Sequence, residues 1–361
     1  MKRILIVILL VLYVQFNAFA QKDRSFDRNR QLSRGINISW LENYWNPKVL
    51  QSKPISYKDF ELIRKLGFTT IRLPVDFERF YLNGSEAEQT ALMTNIENVI
   101  LNCRQFGIHL ILVNHYGTLR KETYQRDSGR LLQLWGILEK KYRKISTESL
   151  YFEILNEPTI NDALWLPLAE KVIAAIRKYS PDRTIIIGAS NFNSIYELSR
   201  VKPLSAKNVI YTFHFYEPFV FTHQGAEWVG KQVSTKGIPF PYTAGSMPPI
   251  SPLAMGTAGE KNYNNYKNEG KQGAISDKLQ IVAGWALKNH VPLLCGEYGA
   301  YRKYITDDDL ANYLLAVRSE LDVLKIPGII WDYNQDFSIF KQSADINNLS
   351  PRMRKAIGYI P

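Results

Sequence analysis

Short apolar runs, rich in β-branched residues, alternate along the chain with longer segments in which apolar residues recur at helical spacing. Such alternation indicates βα units around a parallel sheet. The runs predicted to be strands are 35–40, 69–75, 109–116, 150–156, 184–189, 209–216, 292–298 and 328–333. The segments predicted to be helices include 57–66, 92–106, 131–142, 164–179, 277–288 and 307–324. Eight strands in this order fit a closed (β/α)8 barrel, the TIM barrel, better than an open doubly wound sheet.

The segment 219–275 departs from this rhythm, because it is rich in Gly, Pro, Tyr, Asn and Ser and has no strand pattern. A connection of this length in a compact domain is usually functional. The alternative is a disordered insertion, which its aromatic content disfavours. These aromatic residues are Phe219, Phe221, Trp228, Phe240, Tyr242, Tyr263 and Tyr266. We expect the segment to lie over the functional site.

Residues 1–20 are predicted to be a cleaved signal peptide. Two basic residues precede an apolar run over 4–14, and Ala18 and Ala20 supply the small side chains of a signal-peptidase site. The alternative is a membrane anchor, but the run is shorter than the roughly 20 residues that span a bilayer. We therefore expect a secreted or periplasmic protein with no stable membrane insertion after cleavage.

The remainder, 21–361, is long enough for a single barrel domain, and 45% of the whole chain is hydrophobic. The chain is basic, with 45 Lys and Arg against 34 Asp and Glu and a net charge of +11. These charges are scattered and not interleaved with aromatic residues, so no nucleic-acid partner is expected. We interpret them as a solvated surface that favours adsorption to acidic cell-surface polymers, on a protein expected to be a monomer.

Motifs of cofactor and metal enzymes are missing from the sequence. No glycine-rich phosphate loop follows the first predicted strand. The five histidines show neither His-x-His nor His-Glu-x-x-His spacing, so no metal and no other cofactor is predicted. Cys103 and Cys295 fall in patterns of buried residues, and two buried thiols are favoured over a disulfide or a zinc site.

Polar and aromatic side chains stand where the predicted strands end. Because the carboxyl ends of barrel strands meet at one face, we expect these side chains to form one site. They are Arg72, Asn114, His115, Tyr116, Asn156, Glu157, His214, Tyr216, Glu297 and Trp331. A glycosidic bond needs one carboxylic acid to protonate the leaving oxygen and one carboxylate at the anomeric carbon. Amides and phenols bind sugar hydroxyls, and an indole stacks on the pyranose ring.

Arg72 stands among apolar residues, so it is expected to be buried and to need a carboxylate partner. Glu297 is the expected partner, and this ion pair is expected to lower the pKa of Glu297 and keep it ionised. The carboxyl group that acts as the acid needs a raised pKa to stay protonated. Two other glutamates, Glu153 and Glu217, lack a paired context and are not candidates.

The order of motifs along the chain resembles glycoside hydrolase family 5, also called cellulase family A, over residues 34–340. The matching motifs are Ile71-Arg72-Leu73-Pro74, Asn156-Glu157-Pro158, His214-Phe215-Tyr216, Gly296-Glu297-Tyr298-Gly299 and Trp331-Asp332-Tyr333. Each motif alone is a weak indication, and the ordered set makes chance improbable. The resemblance implies a retaining glycosidase on a (β/α)8 barrel, with Glu157 as acid/base and Glu297 as nucleophile.

One position departs from the family's pattern, because many members end the third strand with two histidines and this chain has Asn114-His115. We assign the family's histidine role, binding a sugar hydroxyl or supporting the nucleophile, to His115, and Asn114 stays open as the alternative. Trp331 is expected to stack beneath the reacting sugar. Trp40 and Trp228 are candidates for flanking subsites.

The function predicted from the sequence is that of a retaining endo-β-1,4-glycanase, foremost an endoglucanase acting on cellulose-like or mixed β-glucan. The segment 216–228 looks like the loop of glucanase-type members. β-Mannan, xyloglucan and β-1,3-glucan remain alternative substrates, since relatives with the same core residues differ in their loops. A non-catalytic glycan-binding protein is the alternative of another class, which the presence of both glutamates disfavours.

Overall fold

The computed structural model describes residues 23–52, 54–117 and 119–360, so the predicted signal peptide lies outside the described residues. Parallel strands pair in chain order from β1 to β8, and β1 also pairs with β8, which closes a barrel. The strands are β1 (Arg34–Asn37), β2 (Thr70–Val75), β3 (His109–Asn114), β4 (Leu150–Glu153), β5 (Ile185–Gly188), β6 (Val209–Phe215), β7 (Leu293–Tyr298) and β8 (Gly328–Ile330). The predicted (β/α)8 fold is confirmed.

Helices surround this barrel, and the longer ones follow the predicted amphipathic segments. They are α1 (Ser25–Gln31), α2 (Tyr57–Lys65), α3 (Glu86–Gln105), α4 (Tyr124–Tyr142), α5 (Asp162–Arg177), α6 (Ala258–Glu269), α7 (Gln272–Asn289), α8 (Asp307–Leu324) and α9 (Pro351–Ala356). Short helical turns occupy Trp40–Glu42, Glu78–Leu82, Ser190–Asn193, Ile195–Leu198, Phe219–Thr222, Lys231–Val233, Ala244–Ser246, Arg302–Tyr304 and Ile346–Asn348. None of the described helices is long and apolar enough to cross a membrane.

Helix starts depend on polar caps that an apolar pattern alone does not locate. The helix predicted over 92–106 begins at Glu86, because the Ser85 side chain accepts a hydrogen bond from the Glu88 backbone N–H, and the Glu88 carboxylate accepts one from the Ser85 backbone N–H. This reciprocal capping satisfies backbone donors at the helix start.

Two apolar layers stabilise the barrel. Inside it, fully buried side chains from several strands fill the interior, so the barrel is packed and has no pore. Outside it, a larger cluster joins the strands to the helices. At the amino-terminal end of the strands, α1 lies against the barrel, where the Asn29 side-chain amide donates to the Leu293 carbonyl at 2.9 Å. Both cysteines are buried and free, as expected.

The segment 219–275 is folded and held by specific contacts. Gln224 is fully buried, and its side chain donates to the Phe221 and Ile238 carbonyls at 3.2 and 3.0 Å while accepting from the Ile238 backbone N–H at 2.8 Å. The start of the segment is tied to the end of β6, since the Thr222 hydroxyl donates to the Tyr216 carbonyl at 2.7 Å. The Thr222 contact connects the segment to the carboxyl end of β6.

Candidate active site

Glu157 and Glu297 meet at the carboxyl-terminal face of the barrel. Glu157 follows β4 and Glu297 lies in β7, and one carboxylate oxygen of each lies within 4.8 Å of the other. The His214 ring stands between them, with Nδ1 at 2.6 Å from Glu157 Oε1 and 3.3 Å from Glu297 Oε2. The structure thus joins three of the residues predicted from strands that are distant in sequence.

An irregularity in β7 aims the Glu297 side chain into this site. Phe213 pairs with Cys295, but the next residue, His214, pairs with Glu297, so β7 holds one extra residue, Gly296. A β-bulge of this kind redirects the side chain beside it. The extra residue has to be glycine, because a Cβ there would lie 2.6 Å from the Thr212 hydroxyl.

Beneath Glu297, the Arg72 guanidinium is fully buried and donates in several directions. Its Nη1 donates to Glu297 Oε1 at 2.6 Å, which is the predicted ion pair. Its Nε and Nη2 donate to both oxygens of Glu153, at 2.8 and 2.7 Å. Excluding Glu153 from the site was therefore wrong, since this fully buried carboxylate is the bidentate partner of Arg72. Glu217 pairs instead with Lys278, at 2.8 Å.

Amide side chains complete this buried network. Asn156 Oδ1 accepts from Arg72 Nη2 at 2.6 Å, as expected for a residue of the site. Asn37 was not predicted; its Oδ1 accepts from Arg72 Nη1 at 2.9 Å, and its Nδ2 lies 3.2 Å from the Gly296 carbonyl. Asn37 ends β1, but the first strand was predicted to run to residue 40, so the strand-end criterion applied to the sequence passed over it.

The two glutamates both have raised pKa values. Burial raises the pKa of Glu157 to about 7, Arg72 opposes this shift, and Glu153 adds to it. Burial also raises the pKa of Glu297 above its usual range, against the opposing effects of His214 and Arg72. Arg72 does act to lower the pKa of Glu297, but the predicted net decrease was wrong, because desolvation of the carboxylate outweighs a guanidinium whose charge is shared with Glu153.

Tyr216, His115 and Trp331 line the same face. The Tyr216 hydroxyl donates to Glu297 Oε2 at 2.8 Å. The His115 ring stacks on Trp331, with ring centroids 5.6 Å apart and planes 11° apart. Asn114 points elsewhere, into a small cavity that it lines with Leu119 and other residues between the helices. Of the two alternatives on the third strand, the structure brings His115 to the site.

The two tryptophans predicted for flanking subsites differ. Trp40 is only 4% exposed and packs in the main apolar core, so it has no free ring face for a sugar, and that prediction was wrong. Trp228 is 60% exposed and meets Tyr301 edge to face at 4.7 Å between ring centroids. Tyr301 belongs to an apolar cluster against which Trp331 packs, so Trp228 is linked to the site.

A further carboxylate, Glu42, was not predicted. It is nearly buried beside the His115 ring and accepts a hydrogen bond from the Tyr116 hydroxyl at 2.5 Å. Burial raises the pKa of Glu42 to about 8. The sequence gives little indication of it, because Glu42 lies in a helical turn after β1 and not at a strand end.

The group formed by Glu157, His214 and Glu297 also offers three donor atoms within 4.8 Å of one another, a spacing that suits a cation. However, His214 Nδ1 lies at hydrogen-bond distance from Glu157, so an ion would have to replace that contact. Paired carboxylates and a buried arginine, with an indole at the same face of the barrel, have the composition that hydrolysis of a glycosidic bond requires.

Fold and site together define a barrel glycoside hydrolase. A family model described as cellulase (glycosyl hydrolase family 5) matches residues 27–337. The chain belongs to this family, and the resemblance found from its motifs is confirmed.

Similar proteins include Endoglucanase 3 of Fibrobacter succinogenes, 29% identical over 354 residues, which cover 91% of this chain and 53% of that protein. The chain thus spans about half the length of the Fibrobacter protein. Endoglucanase C of Acetivibrio thermocellus is 26% identical over 331 residues, covering 85% of this chain and 93% of the relative. The crystal structure of endoglucanase Cel5A from Thermotoga maritima has a TM-score of 0.72 at 23% identity, with coverage of 92% and 99%, and shares the fold.

Proposed function

We propose that this protein is a secreted endo-β-1,4-glucanase that cleaves cellulose-like or mixed β-glucan with retention of anomeric configuration. The observation that carries the proposal is the separation of Glu157 and Glu297, whose nearest oxygens lie within 4.8 Å. Retaining enzymes hold their carboxyl groups about 5 to 5.5 Å apart, whereas inverting enzymes leave about 6.5 to 9.5 Å for a water molecule. The endoglucanases among its relatives support the choice of substrate.

In the first step, the Glu157 carboxylic acid gives its proton to the glycosidic oxygen while a Glu297 oxygen bonds to the anomeric carbon, and the bond to the leaving sugar breaks. Arg72 and Tyr216 donate to the two Glu297 oxygens, which positions the nucleophile. In the second step, the Glu157 carboxylate takes a proton from water, the water oxygen bonds to the anomeric carbon, and Glu297 leaves. Two inversions give net retention.

Aromatic rings provide the binding surface for the polymer. Trp331 is partly exposed, stacks on His115 and packs against the same apolar cluster as Tyr216, and we assign it as the platform for the reacting sugar. Trp228 is assigned to a distal subsite, since its exposed ring is linked to the site through Tyr301. Binding of units beyond the scissile bond favours cleavage within a chain.

The test is hydrolysis of a panel of purified polysaccharides with analysis of product length. β-1,4-Glucan and mixed β-glucan are expected to give oligosaccharides of several lengths early in the reaction. Preference for β-mannan, xyloglucan or β-1,3-glucan would change the assigned substrate but not the family. Binding without turnover would identify a glycan-binding protein. Proton NMR of fresh product is expected to show the β-anomer first, and an initial α-anomer would contradict the nucleophile role of Glu297.

Export through the predicted signal peptide belongs to the same proposal, because a polymeric substrate lies outside the cell. A monomeric state is proposed as well. Expression of the full chain followed by N-terminal sequencing of the exported protein is expected to find Gln21 first. Retention of residues 1–20 on a membrane-bound product would favour the anchor instead. The proposal requires no cofactor.

A further inference from the structure

The turn after β5 has an unusual backbone. Three consecutive residues, Asn191, Phe192 and Asn193, have left-handed φ angles of 56°, 62° and 55°. Single Asn residues adopt this conformation at modest cost, but a run of three that includes Phe is uncommon. Strained backbone persists where the surrounding structure requires it, and such sites cluster at functional positions.

This turn delivers the Asn193 side chain to the site. Asn193 is fully buried, and its Nδ2 donates a short hydrogen bond to the Asn156 carbonyl and lies 3.3 Å from His214 Nε2. β5 makes room for it, because a Cβ on Gly188 would overlap the Asn193 amide. The loop conformation, the glycine and the contacts all serve the placement of one amide group.

The Asn156 carbonyl determines the orientation of that amide. A carbonyl oxygen only accepts hydrogen bonds, so the group facing it must be the N–H2 of Asn193 and not its oxygen. The second N–H of the same nitrogen is then directed at His214 Nε2, which must accept. Burial lowers the pKa of His214 to about 4, so the ring is neutral near pH 7 and carries one proton. That proton is therefore on Nδ1.

We propose that Asn193 is a positioning residue that holds His214 in the tautomer protonated on Nδ1. His214 then donates to Glu157 Oε1, 2.6 Å away, and this oxygen can only accept. The acidic proton of Glu157 is thus directed away from the ring and is free for the glycosidic oxygen. In the other tautomer Nδ1 would accept the Glu157 proton and withhold it from the substrate. The inference rests on the proposed acid role of Glu157.

Two variants separate the amide from the backbone. Asn193→Gly keeps a residue that adopts the left-handed conformation freely and removes the amide. Asn193→Asp keeps the shape but presents an acceptor to His214 Nε2, which favours the proton on Nε2. Asn191→Gly is the matched control, since Asn191 has the same backbone conformation in the same turn and an exposed side chain.

Long-range ¹H–¹⁵N NMR of the five histidines gives the readout that is independent of turnover. The His214 signals are identified by their loss in His214→Gln. Wild type is expected to show Nδ1 protonated and Nε2 unprotonated, Asn193→Gly a mixture, and Asn193→Asp a shift of the proton to Nε2. A wild-type ring protonated on Nε2 overturns the proposal, even if neither Asn193 variant folds.

Kinetics on soluble β-glucan test the consequence. Loss of one orienting hydrogen bond to a buried group is expected to lower kcat about 10- to 100-fold with KM nearly unchanged. In Asn193→Asp the alkaline limb of activity should also move to higher pH, because Nδ1 then accepts from protonated Glu157. The charged groups near the ring are Glu157, Glu297, Arg72 and Glu153, with His115 as a further titratable neighbour, and both variants leave them in place.

Asn191→Gly is expected to stay within about twofold of wild type in kcat, as surface changes usually do. Unchanged kcat together with an unchanged His214 spectrum in folded Asn193→Gly overturns the positioning role. A wild type that shows the Nδ1 tautomer but hydrolyses no β-glycan contradicts the proposed function and leaves the tautomer assignment standing.

Discussion

Glu157 and Glu297 are the same residue type in two different surroundings. The Glu297 side chain is 5% exposed, and Arg72 and Tyr216 donate to its two oxygens. The Glu157 side chain is 28% exposed, and its hydrogen-bond partner within the described part of the chain is the imidazole of His214. The Arg72 cation and the Tyr216 hydroxyl stabilise the ionised form of Glu297, whereas the neutral His214 ring allows Glu157 to stay protonated. The comparison shows that burial raises both pKa values and that the neighbours divide the roles.

The largest effect is expected from removing either carboxyl group. Glu157→Gln and Glu297→Gln should each lower turnover of polysaccharide by several orders of magnitude with an unchanged circular dichroism spectrum, since chemistry is lost and packing is kept. An aryl glycoside with a good leaving group needs little acid catalysis, so it should restore the first step in Glu157→Gln but not in Glu297→Gln. Either variant keeping more than about a tenth of wild-type activity on polysaccharide, a loss below about 1.4 kcal/mol, would refute that role.

Glu153→Gln tests whether the buried network beneath Glu297 determines the different roles of Glu157 and Glu297. Loss of the bidentate partner of Arg72 should lower the free energy of unfolding by about 3 kcal/mol. Both limbs of the pH profile should move to lower pH, because Arg72 then acts more strongly on Glu157 and Glu297. Denaturant unfolding and kcat/KM against pH measure these effects. Glu217→Gln, which breaks the half-exposed pair with Lys278, is the control and should cost no more than about 1 kcal/mol.

The pH profile of wild type should itself be bell-shaped. Glu157 must be protonated to act as acid, and its pKa is raised to about 7, so kcat/KM should fall tenfold per pH unit above about pH 7. Glu297 must be ionised, and its pKa is raised, so activity should fall on the acid side at a pH above the usual range for glutamate. Because the two carboxyl groups interact, the pKa values read from the two limbs describe the pair and not either residue alone. Full activity maintained at pH 9 would contradict the acid assignment.

The smallest effect distinguishes the centre of the site from its edge. Trp331→Ala should weaken hydrolysis of long and short substrates alike, because it removes the platform under the reacting sugar. Trp228→Ala should raise KM only for long substrates, by several-fold, as expected from about 0.5 to 1.5 kcal/mol of ring contact. Equal losses for Trp228→Ala on polysaccharide and on a short aryl glycoside would remove Trp228 from a distal subsite.

The barrel and the residues at its strand ends could be predicted from the sequence. Alternating runs specify βα units, and parallel closure brings every strand's carboxyl end to one face, so Glu157, His214 and Glu297 were predictable without coordinates. Strand bounds were less predictable: a strand was predicted over 150–156, but β4 ends at Glu153. Of the residues that follow, Ile154 and Leu155 pack in the core, whereas Asn156 and Glu157 reach the site.

The coupling between those residues arises from contacts formed on folding and could not be predicted. Glu153 and Arg72 are 81 positions apart, and nothing in the periodicity of either strand indicates that the two side chains form a buried bidentate ion pair. The contact of Asn193 with His214 and the burial of Trp40 were equally unpredictable, since both depend on the packing of one element against another. The pKa of Glu297 was predicted with the wrong sign because desolvation is set by everything that surrounds a group in space. A sequence shows which charges are present, but the distances and the exclusion of water that determine their energies arise only on folding.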